Sequence, residues 1–191
     1  MASAGAMNQR VQVQTLVYDE DAEKWNWEPL YTSWAEAELN TRRNLFSSVG
    51  IGARGVTFTM RRNSRLTLFK SIRWGSQFCF LTSIIHNPGG LYDTVEAALV
   101  DLATCRKDPR EEITYYFPGV LTEKYMGHEQ QEPMAVTTTT LVLVTPKDIT
   151  LSPGSLVQIG ASAARNNYHV LTCHELDAYK NEYEISREAD V

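Results

Sequence analysis

The sequence predicts an all-β protein of two tandem small barrel-like domains, the first carrying a long loop. Three observations lead there. Short runs alternate apolar and polar residues with a period of two; turn formers such as Asn87-Pro88, Pro153-Gly154 and Asn166-Asn167 separate them; and the succession of runs in the first half recurs in the second. The chain has 191 residues, 43% apolar and 21% charged. That composition argues against disorder, and at roughly 100 to 200 residues per domain it leaves room for one domain or two small ones. No stretch approaches the roughly 20 consecutive apolar residues of a membrane helix. Met1 to Met7 lacks the basic start and apolar block of a signal peptide, so the expected site of synthesis is the cytoplasm.

Residues 1–9 read as a flexible N-terminus. Arg10 to Tyr18 sets Val11, Val13 and Thr15 against Gln12 and Gln14, the pattern of a half-buried strand. Asp19 to Lys24 reads as a turn. Trp25 to Tyr31 alternates aromatic and polar residues, with Pro29 pointing to an edge or a strand end. Trp34 to Leu39 continues the alternation, although its Ala and Glu residues suit a helix equally well. Asn40 to Gly55 has three glycines, two serines, three arginines and no period, and reads as a long mobile loop. Strand character returns at Val56 to Met60, Leu66 to Phe69 and Phe78 to Ile85. From Tyr92 to Thr104 the local signal is helical, with Asp93 and Glu96 spaced as a capping box and Val95, Leu99 and Leu102 at helical spacing. Arg106 to Glu112, charged and containing Pro109, reads as a linker.

Domains are therefore expected at 10–105 and 113–191, on either side of a linker at 106–112. In the second half the β-runs are Thr140 to Val144, Ile149 to Leu151, Leu156 to Ile159, Tyr168 to Cys173 and Glu182 to Ser186. Leu66-Thr67-Leu68 corresponds to Ile149-Thr150-Leu151, Phe78 to Thr82 corresponds to Tyr168 to Thr172, and Val95-Glu96-Ala97 corresponds to Tyr183-Glu184-Ile185. The last match assigns Thr94 to Val100 as a strand against its local helical signal.

Chemistry leaves few traces. There is no GxSxG, GxxxxGK[ST] or HExxH motif, so no enzyme activity, cofactor or metal is expected. His169, Cys173 and His174 do not converge on one strand face, since 169 and 173 share a face and 174 lies opposite. Cys79, Cys105 and Cys173 form no CxxC pair or disulfide framework, which suits a reducing compartment. The pairs Glu36/Glu38 and Glu182/Glu184 read as solvated strand faces. The net charge of −5 conceals an asymmetry: residues 1–104 hold ten Lys/Arg and ten Asp/Glu, whereas 105–191 hold eight and thirteen. Eight of the first ten cations are Arg42, Arg43, Arg54, Arg61, Arg62, Arg65, Lys70 and Arg73, interleaved with Phe46, Phe58 and Trp74, of which the last two read as core. A binding groove for single-stranded nucleic acid combines such cations with exposed aromatics, so an oligonucleotide-binding barrel is a rival reading. The overall acidity weighs against it.

The run Arg10-Val11, an acidic turn, Trp25 to Tyr31, Trp34-Ala35-Glu36, a long loop and Thr57-Phe58-Thr59-Met60-Arg61 resembles the head-to-tail joining (stopper, or head-closure) proteins of tailed bacteriophages. The likeness continues through Leu66 to Phe69, Ile72-Arg73-Trp74-Gly75, Phe78 to Ile85 and Asn87-Pro88, and covers about residues 8–104. It implies a small β-barrel that assembles into a ring of roughly six or twelve copies in the neck of the virion. The implied neighbours are the portal or an adaptor on one side and the tail terminator or tail tube on the other, with packaged DNA in the lumen and no membrane. Tail terminator, neck adaptor and collar protein are alternatives within the same particle. In such a ring the loop residues Asn40, Arg42, Arg43, Phe46, Gly50, Gly52 and Arg54 are candidates for a gate at the lumen. Arg61, Arg62, Arg65 and Arg73 are candidates for contact with DNA or a neighbouring subunit.

Overall fold

The computed structural model describes residues 7–40, 50–51, 54–107, 114–131, 134–160 and 165–188. Among these there are strands and turns but no helix. The strands are β1 (Gln9–Asp19), β2 (Lys24–Asn40), β3 (Gly50–Ile51), β4 (Arg54–Arg61), β5 (Ser71–Trp74), β6 (Gln77–His86), β7 (Tyr92–Val100), β8 (Ala103–Lys107), β9 (Tyr116–Gln131), β10 (Met134–Pro146), β11 (Leu156–Ile159), β12 (Asn166–His174) and β13 (Lys180–Arg187). The chain divides into two compact units. One comprises Met1–Val17, Asn26–Ser48 and Gly52–Asp101; the other comprises Tyr18–Trp25, Val49–Ile51 and Leu102–Val191.

In the first unit the strands pair in the order β1, β5, β6, β7, β4, β2, and β2 pairs back to β1. In the second the order is β8, β11, β12, β13, β10, β9, and β9 pairs back to β8, with β3 added on β9. Numbering each set from its own first strand gives the same sequence of neighbours twice, because β1, β2, β4, β5, β6 and β7 take the places of β8, β9, β10, β11, β12 and β13. The registers agree as well. Phe58 faces Val95 and Leu143 faces Tyr183, so matching Val95 to Tyr183 matches Phe58 to Leu143. Both sets also carry a β-bulge at one place: the β6–β7 register slips between Leu81 and Ser83, beside Ala97, and the β12–β13 register slips between Val170 and Thr172, beside Ile185.

Alternation sets which side of the strands is buried in each unit. In the first unit the core includes Val11, Val13, Ala35, Val56, Phe58, Met60, Ile72, Cys79, Leu81, Val95 and Ala97, with Leu66 at its margin. The Phe58 and Trp74 rings pack edge to face at 5.8 Å, so the two aromatics expected in the core lie there. In the second unit Cys105, Phe117, Leu143, Ile149, Leu151, Val157, Val170, Tyr183 and Ile185 are buried.

Several boundaries differ from those expected. Trp25 to Tyr31 and Trp34 to Leu39 form one continuous strand, β2. Thr94 to Val100 is a strand, as the internal match requires, because Val95 and Ala97 point inward and Asp93 is engaged in side-chain pairing rather than in capping a helix. Leu66 to Phe69 and Ile149 to Leu151 are not strands. Each belongs to the turn-rich crossing from β4 to β5 or from β10 to β11, and its alternating apolar residues seal the core rather than joining a ladder: Leu66, Ile149 and Leu151 are buried. The pairing register also differs by one residue from the expected alignment of Phe78–Thr82 with Tyr168–Thr172. Leu81 takes the place of Val170 and Cys79 that of Tyr168, which matches inward residue to inward residue.

The long loop is partly strand, since Asn40 ends β2, Gly50 and Ile51 pair with Lys124 and Glu123 of β9, and Arg54-Gly55 opens β4. Its residues 41–49 and 52–53, including Arg42, Arg43, Phe46 and Gly52, lie outside the described residues. So do 1–6 of the expected flexible N-terminus and 108–112 of the expected linker. Arg106 and Lys107 belong to β8.

Candidate functional site

The outward face of β2, β4 and β7 brings one group together. Arg61 faces Tyr92, and one step beyond the Ala35–Met60 pair it stands beside Trp34, so the three side chains form a row across adjacent strands. The inward residues next to them, Ala35, Met60 and Asp93, are all buried, which fixes Trp34, Arg61 and Tyr92 on the opposite side. With Met7, Thr32 and Ser33 they line an open groove of about 530 Å³. Trp34 is 58% exposed. Arg61 has no ion pair or hydrogen bond among the described residues. Farther along the same face, Glu36, Thr59, Thr94 and Ile85 form one row, and Glu38, Thr57, Glu96 and Ser83 the next.

Arg62, Arg65 and Arg73 are engaged within the fold. Arg62 Nε donates to Asp93 Oδ1 at 2.9 Å, and His86 Nδ1 lies 2.9 Å from the same oxygen. Burial alone would raise the Asp93 carboxyl; the hydrogen bonds from His86 and Arg62, with the Arg62 charge, outweigh it and hold the group below its ordinary value. Arg65 stacks over the Tyr31 ring at 4.8 Å, and burial pushes the Tyr31 hydroxyl up while the Arg65 charge opposes it. Arg73 donates to the Gly75 carbonyl at 3.3 Å. In the loop, Asn40 donates to the Thr57 hydroxyl at 3.0 Å, and Arg54 faces Leu99 at the end of β4.

The position of Asp93 recurs in the second unit as Asn181, also buried. The Asn181 amide donates to the carbonyls of Lys147 and Ile149, at 3.1 and 2.9 Å, and so anchors the residues that follow β10 as Asp93 anchors Arg62 after β4. Tyr183 completes that anchor by donating to the Ile149 carbonyl and accepting from the Leu151 amide.

Sequence reasoning missed a second cationic group. Arg106 of β8 faces Tyr116 of β9, and Lys24 pairs with Tyr116 from the other side. The guanidiniums of Arg106 and Arg165 lie 5.4 and 5.3 Å from the Tyr116 ring centre. The sequence reads Arg106 as part of the linker, and no local pattern announces that Arg165 approaches the same ring.

Burial pushes the thiols of Cys79 and Cys105 up to about 12, which keeps them protonated and unreactive. His174 pairs with Glu184 at 3.1 Å and His169 with Glu188 at 3.5 Å, and no group of three metal-ligating residues occurs among the described residues. No protein-family model matches the chain, and no curated protein or solved structure shows significant similarity to it.

Proposed function

We propose that this chain is a structural neck protein of a tailed bacteriophage, a ring-forming head-closure component that joins the portal-bearing head to the tail and helps retain or pass DNA. Its two units are read as two copies of one small barrel, on the strength of their shared pairing order and bulge position. The observation that carries an assembly role is the Trp34–Arg61–Tyr92 row. Tryptophan, tyrosine and arginine are the side chains that most often dominate protein–protein binding energy, and methionine, here Met7, is also enriched in interfaces. A guanidinium with no ion pair or hydrogen bond among the described residues, between two outward aromatic rings, suits a partner surface. The residues that carry the likeness to head-closure proteins fall largely on β1, β2, β4, β5 and β6 of the same unit.

The buried cysteines and the lack of a nucleophile paired with a base among the described residues favour an assembly part over a catalyst. The proposed partners are further copies of the chain, the portal or adaptor, the tail terminator or tube, and the DNA in the lumen. The test is to mix the purified chain with the portal complex of the phage that encodes it. Rings on the portal that vanish with Trp34→Ala support the proposal; a chain that never binds the portal contradicts it.

A further inference from the structure

The second unit carries an apolar knob. Leu176 is fully exposed, at 102% of its reference area, on the connection between β12 and β13. An exposed leucine on a loose loop means little, but this one is held. The Lys147 ammonium donates to the carbonyls of Glu175 and Asp177, both at 2.8 Å, so one cation clasps the chain on either side of Leu176. Asp177 closes the base by accepting from the amides of Tyr179 and Lys180, at 2.8 and 3.2 Å. Glu175 is exposed, and no ion pair engages its carboxylate among the described residues. The tip therefore presents a leucine and a free carboxylate in a fixed geometry, so little ordering entropy is lost when it binds.

The groove of the first unit has the complementary features: the apolar walls of Trp34, Tyr92 and Met7, and the Arg61 guanidinium, which has no partner among the described residues. We propose that the Glu175-Leu176-Asp177 tip of one copy docks into the Trp34–Arg61–Tyr92 groove of the next, with Leu176 against the aromatic rings and Glu175 paired to Arg61. The inference rests on the ring reading for its biological setting, and it names the partner of the groove as a second copy of this chain. The two surfaces differ, so the contact is heterologous: each copy offers a knob to one neighbour and a groove to the other, which is how cyclic rings are built. Burying Leu176 supplies the apolar contact, and the Glu175–Arg61 pair fixes direction more than it adds affinity.

Self-association of the isolated chain tests the contact without a portal, by sedimentation velocity up to millimolar concentration. The chain as it stands should associate reversibly. Leu176→Asp and Arg61→Glu should each weaken that association by at least about tenfold. The double variant Arg61→Glu/Glu175→Arg, which exchanges the charges, should return to within about threefold of the original. The substituted side chains are exposed, so unfolding midpoints should stay unchanged and a loss cannot be laid to misfolding. No self-association of the original chain, association unaffected by Leu176→Asp, or failure of the exchanged pair to recover would overturn the docking. Neck rings built normally by the Leu176→Asp chain would remove this contact and leave the ring reading standing. Association through this contact in a chain absent from the neck would do the reverse.

Discussion

Asp93 is a buried carboxylate held by a guanidinium and an imidazole, and it contributes to how the first unit responds to acid. Its folded-state value lies below that of the unfolded chain. The stabilisation is therefore present above the unfolded value, near pH 4, and is lost as pH falls through the lower folded value. Acid unfolding monitored by tryptophan fluorescence should show a loss of stability below about pH 4 that is absent in Asp93→Asn. Arg62→Ala leaves the carboxylate buried with His86 alone and should cost about 2–4 kcal/mol in urea unfolding. The cysteines give a second residue-scale test. Cys79 and Cys105 are fully buried with thiols pushed up to about 12, whereas Cys173 is half-buried, raised by burial and by the Glu175 charge, with its thiol donating to the Leu151 carbonyl. A thiol reagent should label one cysteine slowly in the folded protein and all three in denaturant. Rapid labelling of Cys79 would contradict the packing. Several of these features could be foreseen: alternation placed Phe58 and Trp74 in the core. The engagement of Arg62 and Arg65 could not, because it depends on Asp93 and Tyr31, about thirty residues away in the chain.

Among the elements, β7 shows how sequence signals compete. Its Asp93 and Glu96 read locally as a helix cap, yet neighbouring strands on both sides supply ladder partners and the core takes Val95 and Ala97 at a period of two. Only the likeness to Tyr183-Glu184-Ile185 made that outcome legible. The hairpin of β9 and β10 went unseen over much of its length, since Pro118, Gly119 and a run of charged and polar residues from Thr122 to Glu132 hide any alternation. Gly119 has its own reason. A Cβ there would lie 2.8 Å from Leu143 Cδ1 and 2.9 Å from Cys105 Sγ, whereas the matching place in the first unit, two residues before Ala37, accepts Ala35 as a buried core residue. Gly119→Ala should destabilise the protein by about 1–3 kcal/mol through overpacking. Removing the hydroxyl in Tyr183→Phe should cost about as much, because the buried Leu151 amide loses its acceptor. Both are read from urea midpoints, and no change in either would mean the interior gives more than the distances suggest.

For the whole molecule, the order of strands, a β-bulge and a buried polar anchor, Asp93 or Asn181, recur in the two units with different side chains. In the sequence that recurrence corresponds to a parallel succession of β-runs. The outward surfaces were less legible there. Of the basic set read from the first half, Arg62, Arg65 and Arg73 are engaged within the fold and Arg61 has no ion pair or hydrogen bond among the described residues, while the guanidiniums of Arg106 and Arg165 approach Tyr116 from distant positions. The proposed assembly role rests on those surfaces. Its most direct test is electron cryomicroscopy of tailed particles carrying a small tag on this chain. The account predicts tag density in a ring at the head–tail junction. Tag density elsewhere in the particle, or particles that lack the chain and still retain DNA and join tails, would contradict it.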